Sequence, residues 1–138
     1  MYLVVKAIHV FAVAMFVGGM LATSLGLSMA ASGEGDPGSR RVFDLLLRWD
    51  SAVTTSALCV VWLAGFTMAF GAEWFPAPWL MIKMVPVGVL TILHVLQGNV
   101  LRRHVQSGGR LPSTTKFAPY LVAVVFATIA FLAVVKPF

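Results

Sequence analysis

The 138-residue chain is 59% hydrophobic and only 11% charged, against a soluble average of roughly half apolar and a quarter charged, which excludes an ordinary water-soluble globular domain. Its formal charge of +5 comes from basic residues placed where loops meet apolar runs, a placement that serves membrane topology and contact with anionic lipid rather than binding of nucleic acid. The single cysteine, Cys59, precludes an intramolecular disulfide and, lying in an apolar run, reads as a small packing residue.

Four apolar runs, at residues 3–31, 51–70, 79–101 and 117–135, each reach the length of about 18 residues that a helix needs to cross a bilayer. The predicted fold is therefore all-α: an integral membrane bundle of four transmembrane helices, with residues 1–138 forming a single domain. The first run contains Lys6 and His9, and His9, Phe16 and Met20 fall on one helical stripe with Val13 beside it. Ala12, Ala14, Gly18 and Gly19 thin this helix, as small residues do where helices pack closely. Ser28-Met29-Ala30 loosely resembles a signal-peptidase site, but the apolar run is longer than a signal h-region and is read as a retained span.

After a polar stretch at 33–38, Ser39 can cap a helix starting at Arg40. Over residues 40–50, Val42, Leu45, Leu46 and Trp49 recur at helical spacing opposite Arg41, Asp44 and Arg48, predicting an amphipathic lead-in to the second span. That span, taken from residue 51, offers only hydroxyls such as Thr54, Thr55, Ser56 and Thr67. The connection at 71–78 lacks Lys and Arg and is rich in aromatic residues and proline, which suits a short interfacial turn. The third run carries Lys83, His94 and Pro86, a residue that frees the carbonyl of Ile82 and can kink the helix. His104, beside Arg102 and Arg103, reads as solvated or touching lipid headgroups. A polar loop at 106–115 leads to the fourth run, whose polar content is a hydroxyl such as Thr128.

Arg40, Arg41 and Arg48 on one connection and Arg102, Arg103, Arg110 and Lys116 on another place both on the cytoplasmic side, with both termini outside a bacterial inner membrane. Ionisable groups within spans are costly, so Lys6, His9, Lys83 and His94 are the functional candidates. Each has a structural alternative: the lysines can snorkel, and a histidine can donate to a neighbouring helix's carbonyl. Lys83 and His94 lie eleven residues apart, nearly a whole number of turns, so they point the same way about 16 Å apart along the axis. His9 and Lys83 fall at similar depth, which makes a site on that pair more natural than one joining His9 to His94. On this reading the first and third spans carry the chemistry, and the second and fourth are walls that keep it dry.

Tyr2-Leu3-Val4-Val5-Lys6-Ala7-Ile8-His9 followed by Phe16-Val17-Gly18-Gly19, and Trp79-Leu80-Met81-Ile82-Lys83 followed by His94, Gly98 and Arg102-Arg103, resemble the first and third spans of the HemJ and CopD superfamily of small bacterial membrane proteins. The HemJ resemblance implies a four-helix bundle binding b-type heme, with His9 as the leading iron ligand, Lys83 or His94 as a second ligand, and an activity like protoporphyrinogen oxidation in porphyrin biosynthesis. The chain departs from that pattern after the Gly-Gly pair, reading Met20-Leu21-Ala22-Thr23-Ser24-Leu25, and has Phe16 where a tryptophan is usual. The expected function is thus a membrane heme protein working as an oxidoreductase or electron-transfer component on a lipophilic or porphyrin substrate. The alternatives are CopD-like copper transport through histidine, methionine and Cys59, and a cofactor-free structural subunit. A site shared across a homodimer stays open, because four short spans enclose little interior.

Overall fold

The computed structural model describes residues 1–32, 39–73, 77–108 and 111–135. The connections expected at 33–38 and around 74–76 lie outside the described residues. Helix α1 spans Tyr2–Ala31, α2 Ser39–Trp49, α3 Thr55–Gly71, α4 Pro78–Ser107 and α5 Ala118–Val135. A five-residue π-helical segment, Asp50–Thr54, splices α2 to α3, and a short 3-10 turn, Ser113–Phe117, precedes α5. Among the described residues four helices are long and apolar enough to cross a membrane, α2 and α3 counting as one continuous span from Arg40 to Gly71.

The bundle is apolar on both its inner and outer faces, as expected of helices whose solvent is lipid. Phe11, Leu63, Val85, Val124 and Phe131 all point outward. Helix α1 is the hub, packing against α3, α4 and α5, while α4 packs on α5. Ala12, Phe16, Val17 and Met20 of α1 form the main core with Ala57, Leu58 and Val61 of α3, Leu90 of α4 and Val122 of α5. A second cluster, Leu27, Phe43 and Leu101, closes the end of the bundle at which α1 finishes. Side-chain hydrogen bonds join α3 to α4, from Trp62 Nε1 to Thr91 Oγ1 at 3.2 Å and between Thr55 Oγ1 and His94 Nε2 at 3.2 Å.

The amphipathic lead-in sits differently from its apolar stripe. Val42, Leu45 and Trp49 are exposed, and it is Phe43, with Leu46 and Leu47, that packs on Leu27 and Leu101. Apolar residues occur on both the exposed and the packed faces of this helix, so periodicity alone does not say which faces the bundle. The line running inward from Phe43 reaches Asp50 seven residues later and Thr54 after that, both buried.

Close approach between α1 and the π segment depends on Gly19. A Cβ added there would overlap the Thr54 hydroxyl and come within 2.9 Å of its methyl, while Thr54 itself is fully buried. Gly98 plays a related part on α4, where an added Cβ would stand 3.2 Å from Asp50 Oδ2.

Candidate functional site

The polar interior of the bundle is divided into two parts. The first is a cavity of about 610 Å³ in the half that contains the start of α1. It is walled by apolar and aromatic side chains from α1, α3, α4 and α5, among them Phe16, Trp62, Phe66 and Phe126. His9 and Lys83 both line it, with Lys6 at the α1 end. His9 is half-buried and leans on α3 where Gly65 leaves room, its Cε1 lying 3.4 Å from the Cβ position of that glycine. Its Nδ1 is buried and makes no close hydrogen bond among the described residues, and the ring interacts with the backbone of Val61 on α3. Lys83 is the cation whose field reaches the His9 ring. Met68, Met81 and Met84 line the same space.

The second part lies below a floor formed by Phe16. His94 packs its ring edge-on against Phe16, centroids 5.5 Å apart at 76°, and is not among the residues that line the cavity. Both of its ring nitrogens are engaged. Nδ1 faces Asp50 Oδ1 at 3.6 Å, and Nε2 faces Thr55 Oγ1 at 3.2 Å. Thr55 is fixed in turn, because its hydroxyl donates to the Asp50 carbonyl at 2.9 Å and its backbone N–H reaches that same carbonyl across the π segment. Below this lie Ser24 and Gln97, joined by a 2.8 Å hydrogen bond from Gln97 Nε2, with Ser24 donating to the Met20 carbonyl at 2.7 Å. Thr54 Oγ1 and Gln97 Oε1 are buried and have no hydrogen-bond partner among the described residues.

The structure thus brings His9 and Lys83 to one cavity and holds His94 in a separate cluster. It also corrects the reading of the second span as a wall without ionisable groups. Asp50 is 7% exposed and His94 5%, so a carboxylate from the second span and an imidazole from the third are buried together. Asp50 stands one residue before the apolar run begins, so counting the span from residue 51 set it aside as part of a solvated lead-in. The available signal was its position seven residues after Phe43, on one face of a continuous helix. His104 is half-buried, packed edge-on against Phe43 with centroids 5.0 Å apart. Cys59 is exposed on the outside of the bundle and does not line the cavity, contrary to its expected burial.

What the cavity can hold follows from its lining. Its volume is within the range of about 300–1,000 Å³ usual for small-molecule sites. It offers the His9 imidazole, apolar and aromatic walls and two lysines, Lys6 and Lys83, a lining that a planar apolar group with anionic substituents could occupy. No group of three or more His, Cys, Asp or Glu side chains able to hold a bare metal ion occurs among the described residues. No family model, curated protein or solved structure matches the chain, so the HemJ and CopD resemblance rests on its motif residues alone.

Proposed function

We propose that this protein is a membrane-embedded heme b protein, an oxidoreductase or electron-transfer component whose cofactor occupies the cavity beside His9. The observation that carries the reading is the His9 imidazole, held by the packing of its Nδ1 against α3 and lining an apolar cavity together with Lys83. His9 would hold the iron, and Lys83 and Lys6 would meet the carboxylates of the cofactor. When bound, heme supplies one-electron chemistry. The chain itself orients the ring, excludes water with Phe16, Trp62, Phe66 and Phe126, and leaves a lipophilic partner access through the membrane. The resemblance to HemJ supports a porphyrin-related substrate, and the arginine-rich connections support an inner-membrane orientation with both termini outside.

One observation favours a second reading. His9, Met68, Met81 and Met84 line the same cavity, and an imidazole with thioethers is a donor set suited to Cu(I). The two readings separate by titration of purified protein in mild detergent. On the heme reading, hemin saturates at one equivalent with a sharp Soret band, and dithionite sharpens the α and β bands. Tight binding of Cu(I) to a protein that takes up no hemin would overturn it in favour of the metal.

A further inference from the structure

The cluster beneath Phe16 is independent of whatever occupies the cavity, and its hydrogen bonds dictate where protons sit. The Thr55 hydroxyl has one hydrogen, which it gives to the Asp50 carbonyl at 2.9 Å. Towards His94 Nε2 at 3.2 Å it can only accept, so Nε2 must carry a proton. That leaves His94 Nδ1 facing Asp50 Oδ1 at 3.6 Å. Without a proton between them, a lone pair of a neutral imidazole would face a bare carboxylate in the interior of a membrane bundle. One proton relieves this, held either as imidazolium with carboxylate or as imidazole with carboxylic acid. Both forms are neutral overall, as a buried pair requires.

The surroundings define a route for that proton. Helix α1 offers Phe16, Met20 and Ser24 to this region and no titratable group. The charges that reach Asp50 are His94 and Arg102, both on α4. His104 is set aside against Phe43, and the 3-10 turn presents the Lys116 carbonyl to Ser28 instead of a charge to Asp50. Along α4, Gln97 stands between His94 and the exposed Arg102 end, one residue before Gly98, whose Cβ position meets Asp50 Oδ2. The unpartnered buried oxygens, Gln97 Oε1 and Thr54 Oγ1, are acceptors of the kind that order a transient water. On the cavity side the Phe16 ring packs edge-on against His94 and lines the cavity beyond. Intramembrane acid and histidine side chains in such an arrangement are a common means of moving protons, and π-helical segments like Asp50–Thr54 recur at functional sites.

We propose that Asp50 and His94 form a proton-exchange site inside the bundle, loaded from the Arg102 end past Gln97 and separated from the His9 cavity by Phe16. The test is nitrogen NMR of histidine-labelled full-length protein in lipid nanodiscs at neutral pH. His94 should show a protonated Nε2 and an Nδ1 shift displaced from that of a bare acceptor by the shared proton. Asp50→Asn should remove the displacement and keep the Nε2 proton. Gln97→Leu should leave the shifts in place and slow exchange of the shared proton with solvent, whereas Phe16→Leu should not slow it. A wild-type His94 with a bare Nδ1 beside an ionised Asp50 would overturn the proposal, even if the Asp50 variant failed to fold. An exchange rate unchanged by Gln97→Leu would overturn the route.

Discussion

Replacing Gly19 by alanine probes the closest helix approach in the bundle and, through it, the placement of Asp50. The added methyl would overlap the Thr54 hydroxyl and lie 2.9 Å from the Thr54 methyl. Thr54 is fully buried, so it has little room to turn away. Overpacking of this kind costs about 1–3 kcal/mol, while the better helix propensity of alanine returns at most about 1 kcal/mol. The net expectation is a loss of about 0–3 kcal/mol. Thr54→Ala removes the obstruction and a hydroxyl without a partner, so the double variant should recover most of the loss, with a coupling energy of about 1–3 kcal/mol. Reversible unfolding in mixed detergent micelles, followed by tryptophan fluorescence, reads all four corners of the cycle. Additive effects of the two substitutions would refute the close approach, and with it the packing that sets the π segment against α1.

Three further substitutions address the two polar regions and the outer surface. Asp50→Ala strips His94 Nδ1 of its partner, and the loss of stability in the same assay should be about 1–3 kcal/mol if the two side chains are uncharged and about 3–5 kcal/mol if they are an ion pair; an unchanged stability contradicts the buried pairing. Gly65→Leu projects a side chain onto the His9 ring and should abolish hemin binding at nearly unaltered stability, while Gly65→Ala, whose methyl would stand 3.4 Å from His9 Cε1, should bind with slightly weakened affinity; equal hemin titrations for wild type and the leucine variant would rule out this face of the cavity. Cys59→Ala alters an exposed, lipid-facing position and should shift stability by less than about 0.5 kcal/mol without affecting hemin or Cu(I) binding, whereas loss of Cu(I) binding would place Cys59 in the metal's path.

The four spans were legible because the constraint behind them is coarse: a bilayer demands long apolar helices, and composition along the chain reports them directly. The common side of His9 and Lys83 was also legible, since helical arithmetic and depth place both near one end of the bundle, and both line the cavity. The company kept by His94 was not. Its partner, Asp50, belongs to a different helix and stands at the edge of an apolar run, where hydropathy treats a carboxylate as a boundary. Nor does sequence periodicity foresee a π segment or the three helices that meet there. In α2 the difficulty was of another kind. Lipid and protein both reward apolar side chains, so the exposed Val42, Leu45 and Trp49 were indistinguishable in pattern from the packed Phe43, Leu46 and Leu47.

The function proposed for the cavity stands on His9, and comparing two variants of the full-length protein tests it most directly. His9→Ala and His94→Gln, purified in mild detergent from heme-replete cells beside the wild type, are examined by visible spectra before and after dithionite. The wild type should carry the Soret, α and β bands of heme b, His94→Gln should retain them because its ring lies beneath Phe16 and outside the cavity, and His9→Ala should lose or strongly shift them. A colourless wild type, or bands that survive in His9→Ala and vanish in His94→Gln, would contradict the assignment of the cavity as the heme site.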